Sequence, residues 1–159
     1  MFSNEPVDQL FSLTIRPCRG EELQRVAQLT AQWEVEQITI GYGADDAEYL
    51  RRKLGPFFLL ALDSEEIIGF VTASLHEANP GEMAIFPTGG RYLEIDDLYL
   101  LPTYREKEIG TLLMNAVMQE ARNQGIEHFS VYSSTKEWGR IAAFYERLGF
   151  TMWFVRMFQ

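Results

Sequence analysis

Glu94, Asp96 and Asp97 stand close together in the stretch "RYLEIDDLYLL". Carboxylates so placed can accept a proton from an amine or hold an ammonium group. Shortly afterwards comes "TYREKEIGT", Thr103 to Thr111, where a strand ends and a strongly amphipathic helix begins. The bare N–H groups of such a helix start, together with its dipole, favour an anion whatever the side chains are. Arg105 and Lys107 add positive charge there, and Thr111 adds a hydroxyl. Glu108 has the opposite sign. A carboxylate about 4 Å from a phosphate costs about 1 kcal/mol in water and about 4 kcal/mol with less solvent. Three readings of Glu108 follow: a first-turn acid turned to solvent, a damaged anion site, or a site altered for another ligand. Tyr145, in "AAFYERLGF", shares helical spacing with Ile141, Phe144 and Leu148, which by itself describes a core aromatic.

The elements that must carry these residues follow from periodicity. "LTIRPC" alternates as a first strand, and "GEELQRVAQLTAQWE" places Leu23, Val26, Ala27, Thr30 and Trp33 on one helical face. "DDAEYLRRKL" is a short second helix, acidic at its start and basic at its end, as the macrodipole prefers. The glycine-containing loop "QITIGYGA" lies between them. "PFFLLALD" and "EIIGFVTASL" read as an antiparallel hairpin. In "RYLEIDDLYLL", Leu93 and Ile95 share one face, while Leu98 and Leu100 fall on the other. An extra residue at Asp96–Asp97 restores the register, which predicts a β-bulge there.

The next helix carries Ile109, Leu112, Leu113, Ala116, Val117 and Ala121 as its apolar stripe, with Gly125 as its stop. "HFSVYSS" is a strand, Ser134 and Glu137 form a capping-box signature for "KEWGRIAAFYERL", and "FTMWFVRMF" is a final strand. The order β α α β β β α β α β implies one α/β domain spanning residues 1–159. Its sheet is mixed and largely antiparallel, with one parallel crossover.

Composition bounds the function. The 159 residues are 47% hydrophobic and carry a formal net charge of −9. That balance argues against a general nucleic-acid binder and tolerates a cationic small molecule. No apolar run approaches bilayer length, and the first residues lack the zones of a signal peptide, so a cytoplasmic protein is expected. Cys18 is the only cysteine, and His76 and His128 have no metal-ligand spacing, so no metal site is expected.

Element order and two local signatures together resemble the GCN5-related N-acetyltransferase (GNAT) family. "DLYLLPTYREKEIGTLL" is similar to the family's strand–loop–helix that holds the acetyl-coenzyme A pyrophosphate, and "AAFYERLGF" to the helix bearing its tyrosine. The resemblance implies a GNAT-like sheet with a central, splayed parallel pair, flanked by helices. It implies an acetyl-coenzyme A cosubstrate held by Arg105, Glu106, Lys107, Glu108, Ile109, Gly110 and Thr111. Main-chain groups of Leu98, Tyr99 and Leu100 would hold the pantetheine arm. Glu108 stands where the family has glycine, and Trp138 where its helix often starts with Asn or Asp.

Tyr145 takes the proton donor's place on the same resemblance. Glu94 ranks first and Asp97 second as the acid that takes the amine proton or binds the ammonium. Trp33, Glu34 and Tyr42, with Asp45 nearby, fall where the acceptor pocket is usually built, although Trp33 also fits a helix-face core. The implied activity is transfer of an acetyl group to a primary amine, with a small cationic acceptor expected. The rival is a non-catalytic module that binds a ligand or partner, favoured by Glu108 and Trp138. Many family members continue into a further hairpin strand beyond the point matching "WFVRMFQ", so the resemblance leaves two expectations, a sheet without that strand or an edge filled by a homodimer.

Overall fold

Apolar parity sorts the strands into a five-stranded sheet in the order β1-β2-β3-β4-β5. The structure is a computed structural model that describes residues 12–159. Its elements are β1 (Leu13–Pro17), α1 (Leu23–Glu36), α2 (Ala47–Arg51), β2 (Phe58–Asp63), β3 (Glu66–Glu77), β4 (Arg91–Leu100), α3 (Ile109–Asn123), β5 (His128–Val131) and α4 (Trp138–Arg147). The first four strands pair antiparallel, and β4 with β5 is the parallel pair. Because β5 is the last strand in the sheet, that pair lies at the edge rather than at the centre.

Each face of the sheet buries its own core. Leu59, Ala61, Val71, Leu93 and Ile95 pack with Ile109, Leu113, Met114, Val117 and Met118 of α3, while Phe144 and Tyr145 of α4 lie against this cluster. Leu60, Leu62, Phe70 and Tyr99 on the opposite face pack with Leu23, Val26 and Leu29 of α1 and Leu50 of α2. Gly69 permits the tight approach of β3 to β4, since a Cβ there would sit 2.5 Å from the Tyr99 carbonyl oxygen.

Tertiary packing rotates or trims several expected elements. Met114 and Met118 are buried on α3, whereas Leu112 is 45% exposed, so the buried stripe is turned toward the methionines. Leu29 joins the α1 face, which the sequence stripe had left out. Asp46 caps α2 by accepting from the Tyr49 N–H at 2.7 Å. Ser134 does not cap α4. Glu137 is the capping residue, and its N–H donates to the Thr135 hydroxyl at 3.2 Å. Gly125 and Gly149 follow α3 and α4 with φ of 78° and 91°, the left-handed turn that stops a helix.

The expected last strand does not form. Residues 151–159 take no regular structure, and Phe154, Met157 and Phe158 are largely exposed. High β-propensity makes a strand only where a neighbour offers a ladder, and this segment is not part of the sheet.

Candidate active site

The bulge forms at the expected place. Thr72 pairs with Asp97 and Ala73 with Ile95, so Asp96 is the extra residue. Its effect on parity is large. Leu93 and Ile95 face α3 before the bulge, and Leu98 and Leu100 face it afterwards. Without the bulge, Asp97 would point into that apolar core, where an unpaired carboxylate is costly. With it, Asp96 and Asp97 share the opposite face. Their partners on β3 show this, because Thr72 donates to Asp97 Oδ2 at 2.7 Å and Ser74 donates to Asp96 Oδ2 at 2.5 Å.

The two aspartates have different surroundings. Asp97 Oδ2 lies 2.7 Å from Lys53 Nζ, and both side chains are mostly covered. Asp96 is raised above the ordinary carboxylate range, chiefly by burial, with the Ser74 hydrogen bond and the charge of Lys53 opposing. Both line a cavity of about 350 Å³ together with Tyr42, Asp45, Tyr49, Lys53 and Tyr132. Asp45 is raised as well, first by burial, with Lys53 again opposing.

This cavity opens along Tyr42, Asp96, Asp97 and Tyr132 into a larger cleft of about 700 Å³. The cleft exists because the parallel pair splays. The β4–β5 ladder runs from Tyr92–His128 to Ile95–Val131 and stops at the bulge. Beyond it, Leu98, Tyr99 and Leu100 wall one side of the cleft, and Ser133, Ser134 and Thr135 the other. The loop after α1 reaches across to the loop after β5. Ile40 donates its N–H to the Ser134 carbonyl at 2.8 Å, and Lys136 donates to Ile38 at 2.9 Å.

The start of α3 closes the cleft with Glu108, Ile109, Gly110 and Thr111. Glu108 caps the helix in the left-handed region at φ 61°, and Glu106 has the same φ. Glycine adopts that conformation without penalty, whereas a β-carbon costs about 1–2 kcal/mol. The backbone thus keeps a glycine-like turn although Glu108 occupies it.

Arg105 does not stand free for an anion. Its guanidinium is 2.7 Å from Glu36 Oε2, its Nε donates to the Leu100 carbonyl at 3.0 Å, and it lies over the Tyr99 ring. Tyr99 also donates to Glu36, at 2.5 Å. Arg105 therefore ties the end of α1 to the end of β4. Positive charge at the cleft is contributed from α4 by Arg140, which pairs with Glu106 at 2.9 Å.

Tyr145 lines the cleft from α4, in edge contact with Phe144 and Phe150. Burial pushes its hydroxyl up to about 12, so it keeps its proton through the neutral range. Trp33 lines the cleft too, stacked on Tyr42 at 4.1 Å and donating to the Thr39 hydroxyl at 2.9 Å. Tyr42 is raised by burial first, then by the charges of Asp97 and Asp45.

Three expected residues stay outside both cavities: Glu34, Glu94 and Lys107. Glu94 stands before the bulge, paired with Ser130 of β5, whose hydroxyl donates to it at 3.4 Å. Trp138 is 70% exposed at the start of α4 and walls neither cavity. Asp96 is one of the three acids of this strand, and the signal in the sequence that singles it out is the bulge parity. Lys53 read only as a helix-end cation. Its pairing across to β4 needed the tertiary structure.

With the splayed pair, the cleft and the helix start in place, the family is settled by one match. The sequence model of the acetyltransferase (GNAT) family matches residues 21–150. This chain belongs to that family. No curated protein matches it. Solved structures share its fold. An aminoglycoside acetyltransferase from an uncultured soil metagenomic sample, in complex with trehalose, superposes with a TM-score of 0.68 at 20% identity, covering 92% of this chain and 95% of that one. A predicted acetyltransferase from Clostridium acetobutylicum, solved with acetyl-CoA, gives 0.68 at 18% identity over 91% and 95%. A ribosomal-protein-alanine N-acetyltransferase from Brucella melitensis biovar Abortus 2308 gives 0.68 at 18% over 92% and 98%. As a GNAT member the chain is an acetyltransferase with acetyl-CoA as cosubstrate. Among the described residues no helix is long and apolar enough to cross a membrane.

Proposed function

We propose that this GNAT protein transfers the acetyl group to a primary amine of a small cationic acceptor, with Asp96 as the proton acceptor. One observation carries the reading. The bulge puts two carboxylates side by side where the small cavity meets the cleft, and only Asp97 has a lysine bound to it at 2.7 Å. An acceptor ammonium in the small cavity meets Asp96, Asp97 and Asp45 among the rings of Tyr42, Tyr49 and Tyr132, surroundings that favour a cation.

The transfer follows from these positions. Asp96 takes a proton from the ammonium, directly or through one water, because its raised affinity brings it nearer to working pH. The freed amine nitrogen bonds to the thioester carbonyl carbon, and the C–S bond then breaks. The acetyl group ends as an amide, and the coenzyme leaves as a thiol.

Tyr145 faces the cleft with its proton held. A thiol titrates at about 8.5, so full transfer from a phenol at about 12 is uphill. Tyr145 therefore acts mainly by hydrogen bonding to the departing sulfur, and the surplus proton of the amine completes the thiol. The main-chain groups of Leu98, Tyr99 and Leu100 hold the pantetheine arm, and the start of α3 receives the pyrophosphate. This mechanism ranks Asp96 ahead of Glu94, since Glu94 lines neither cavity.

The test is thiol release from acetyl-CoA by the purified chain, across a panel of small primary amines that includes diamines and amino sugars. Turnover that falls sharply in Asp96→Asn, with acetyl-CoA binding intact by calorimetry, is the expected result. Acetyl-CoA binding with no turnover on any amine, or peptide N-terminus, would favour the non-catalytic module. Undiminished turnover in Asp96→Asn would remove Asp96 from the mechanism.

A further inference from the structure

A site that takes cationic acceptors has a lysine of its own inside it. Lys53 follows α2, lines the small cavity, and places Nζ 2.7 Å from Asp97 Oδ2 with its side chain 19% exposed. The contact ties the end of α2 to β4, and the same oxygen also accepts from Thr72 of β3. Ordering a lysine in a cavity wall costs side-chain entropy and desolvation. A surface-type dipole role at the end of α2 would require neither.

The bulge supplies the reason. Two neighbouring carboxylates on one face repel each other, and together they bind a proton more readily than either does alone. A raised affinity helps a base only up to the working pH, and a pair that already holds its shared proton there cannot take the amine's. We propose that Lys53 is a positioning residue for acetyl transfer: by occupying Asp97 it separates the roles of the two bulge aspartates and leaves Asp96 as the one that receives the amine proton. This rests on the reading of Asp96 given above.

The groups facing Asp96 come from several elements. Ser74 and His76 stand on β3, and Asp97 follows on β4. Tyr49 and Lys53 come from α2 and its end, Tyr42 and Asp45 from the preceding loop, and Tyr132 from the end of β5. Burial and Asp97 raise the proton affinity of Asp96, whereas Ser74, Lys53 and His76 lower it. Deleting the Lys53 charge removes one of the lowering groups, so Asp96 must hold its proton to higher pH.

The experiment is a pH titration of the full chain carrying ¹³C-carboxyl aspartate, followed by NMR. The Asp96 and Asp97 signals are assigned from the Asp96→Asn and Asp97→Asn variants. Lys53→Met is expected to move the Asp96 midpoint up by about one pH unit, a tenfold loss of the unprotonated form on the acid side. Lys53→Arg is expected to restore the midpoint. Adding Asp97→Asn to Lys53→Met removes the rival carboxylate and is expected to bring the midpoint back toward its original value. An Asp96 curve unmoved by Lys53→Met would overturn the proposal. So would a shift that persists unchanged in the double variant.

Retained melting temperature and acetyl-CoA binding identify variants that remain folded. If Lys53→Met fails to fold, Lys53→Gln is titrated in its place. Loss of the Asp96 mechanism reads differently: undiminished turnover in Asp96→Asn would sink that reading while leaving the titration shift in place.

Discussion

The bulge face of β4 and the loop that leads into α3 are neighbours in one cleft, yet they do their work with different atoms. In the proposed mechanism, side chains carry the chemistry on the bulge face. Asp96 is the extra residue of the bulge and is held by Ser74, whereas Asp97 is held by both Thr72 and Lys53. In the loop, the backbone carries it. Glu108 holds the left-handed φ of 61° that a glycine would take freely, and the helix N–H groups follow directly behind it. A change of side chain should therefore be severe on the first surface and mild on the second.

The sharpest way to break this contrast is Asp96→Asn. It should lower kcat by about a hundred- to a thousandfold, the range of a positioned general base, while acetyl-CoA binding stays the same. Steady-state kinetics beside calorimetry separate the two. A loss shared by both would mean that Asp96 supports the cleft rather than the chemistry. Tyr145→Phe comes next, with a fall in kcat of about tenfold to a hundredfold and little change in KM. Its hydroxyl touches only the departing sulfur in this mechanism.

Arg105→Ala tests whether the loop's arginine is a tie or an anion binder. Removing it leaves the Glu36 carboxylate with only the Tyr99 hydroxyl and frees the Leu100 carbonyl, at a cost of about 2 kcal/mol. For a chain of this size that lowers Tm by about 4–8 °C. A thermal scan showing no change, together with a weakened affinity for acetyl-CoA, would instead assign Arg105 to the phosphates.

Glu108→Gly should have the smallest effect and the opposite sign. Relief of the left-handed conformation should stabilise the fold by about 1 kcal/mol, and removal of a water-screened charge, worth about 1 kcal/mol, should tighten acetyl-CoA by about fivefold. Tighter binding at low salt that fades at high salt would attribute the gain to charge. A Glu108→Gly variant that alone binds the cosubstrate would mean that the native loop is closed, and the backbone argument would fall.

Much of this was legible in the chain itself. Strand and helix order, the parallel crossover and the bulge all follow from apolar periodicity, because each side chain's face is fixed by position along its own element. The mismatch between Leu93–Ile95 and Leu98–Leu100 was enough to place the bulge at Asp96–Asp97. The α3 stripe turns away from Leu112 toward Met114 and Met118, since two adjacent helical arcs are both apolar and only the sheet beneath α3 selects between them. "FTMWFVRMF" has strand composition, yet composition does not provide a neighbouring edge to pair with.

The sequence by itself determined the layers, the bulge and the family motifs, all of which depend on residues close along the chain. Only the tertiary structure decided which acids line the cavities, that Lys53 belongs to Asp97 and that Arg105 belongs to Glu36. Those pairings join residues far apart in sequence, and the packing of α1 and α2 over β4 is what brings their charges within bonding distance.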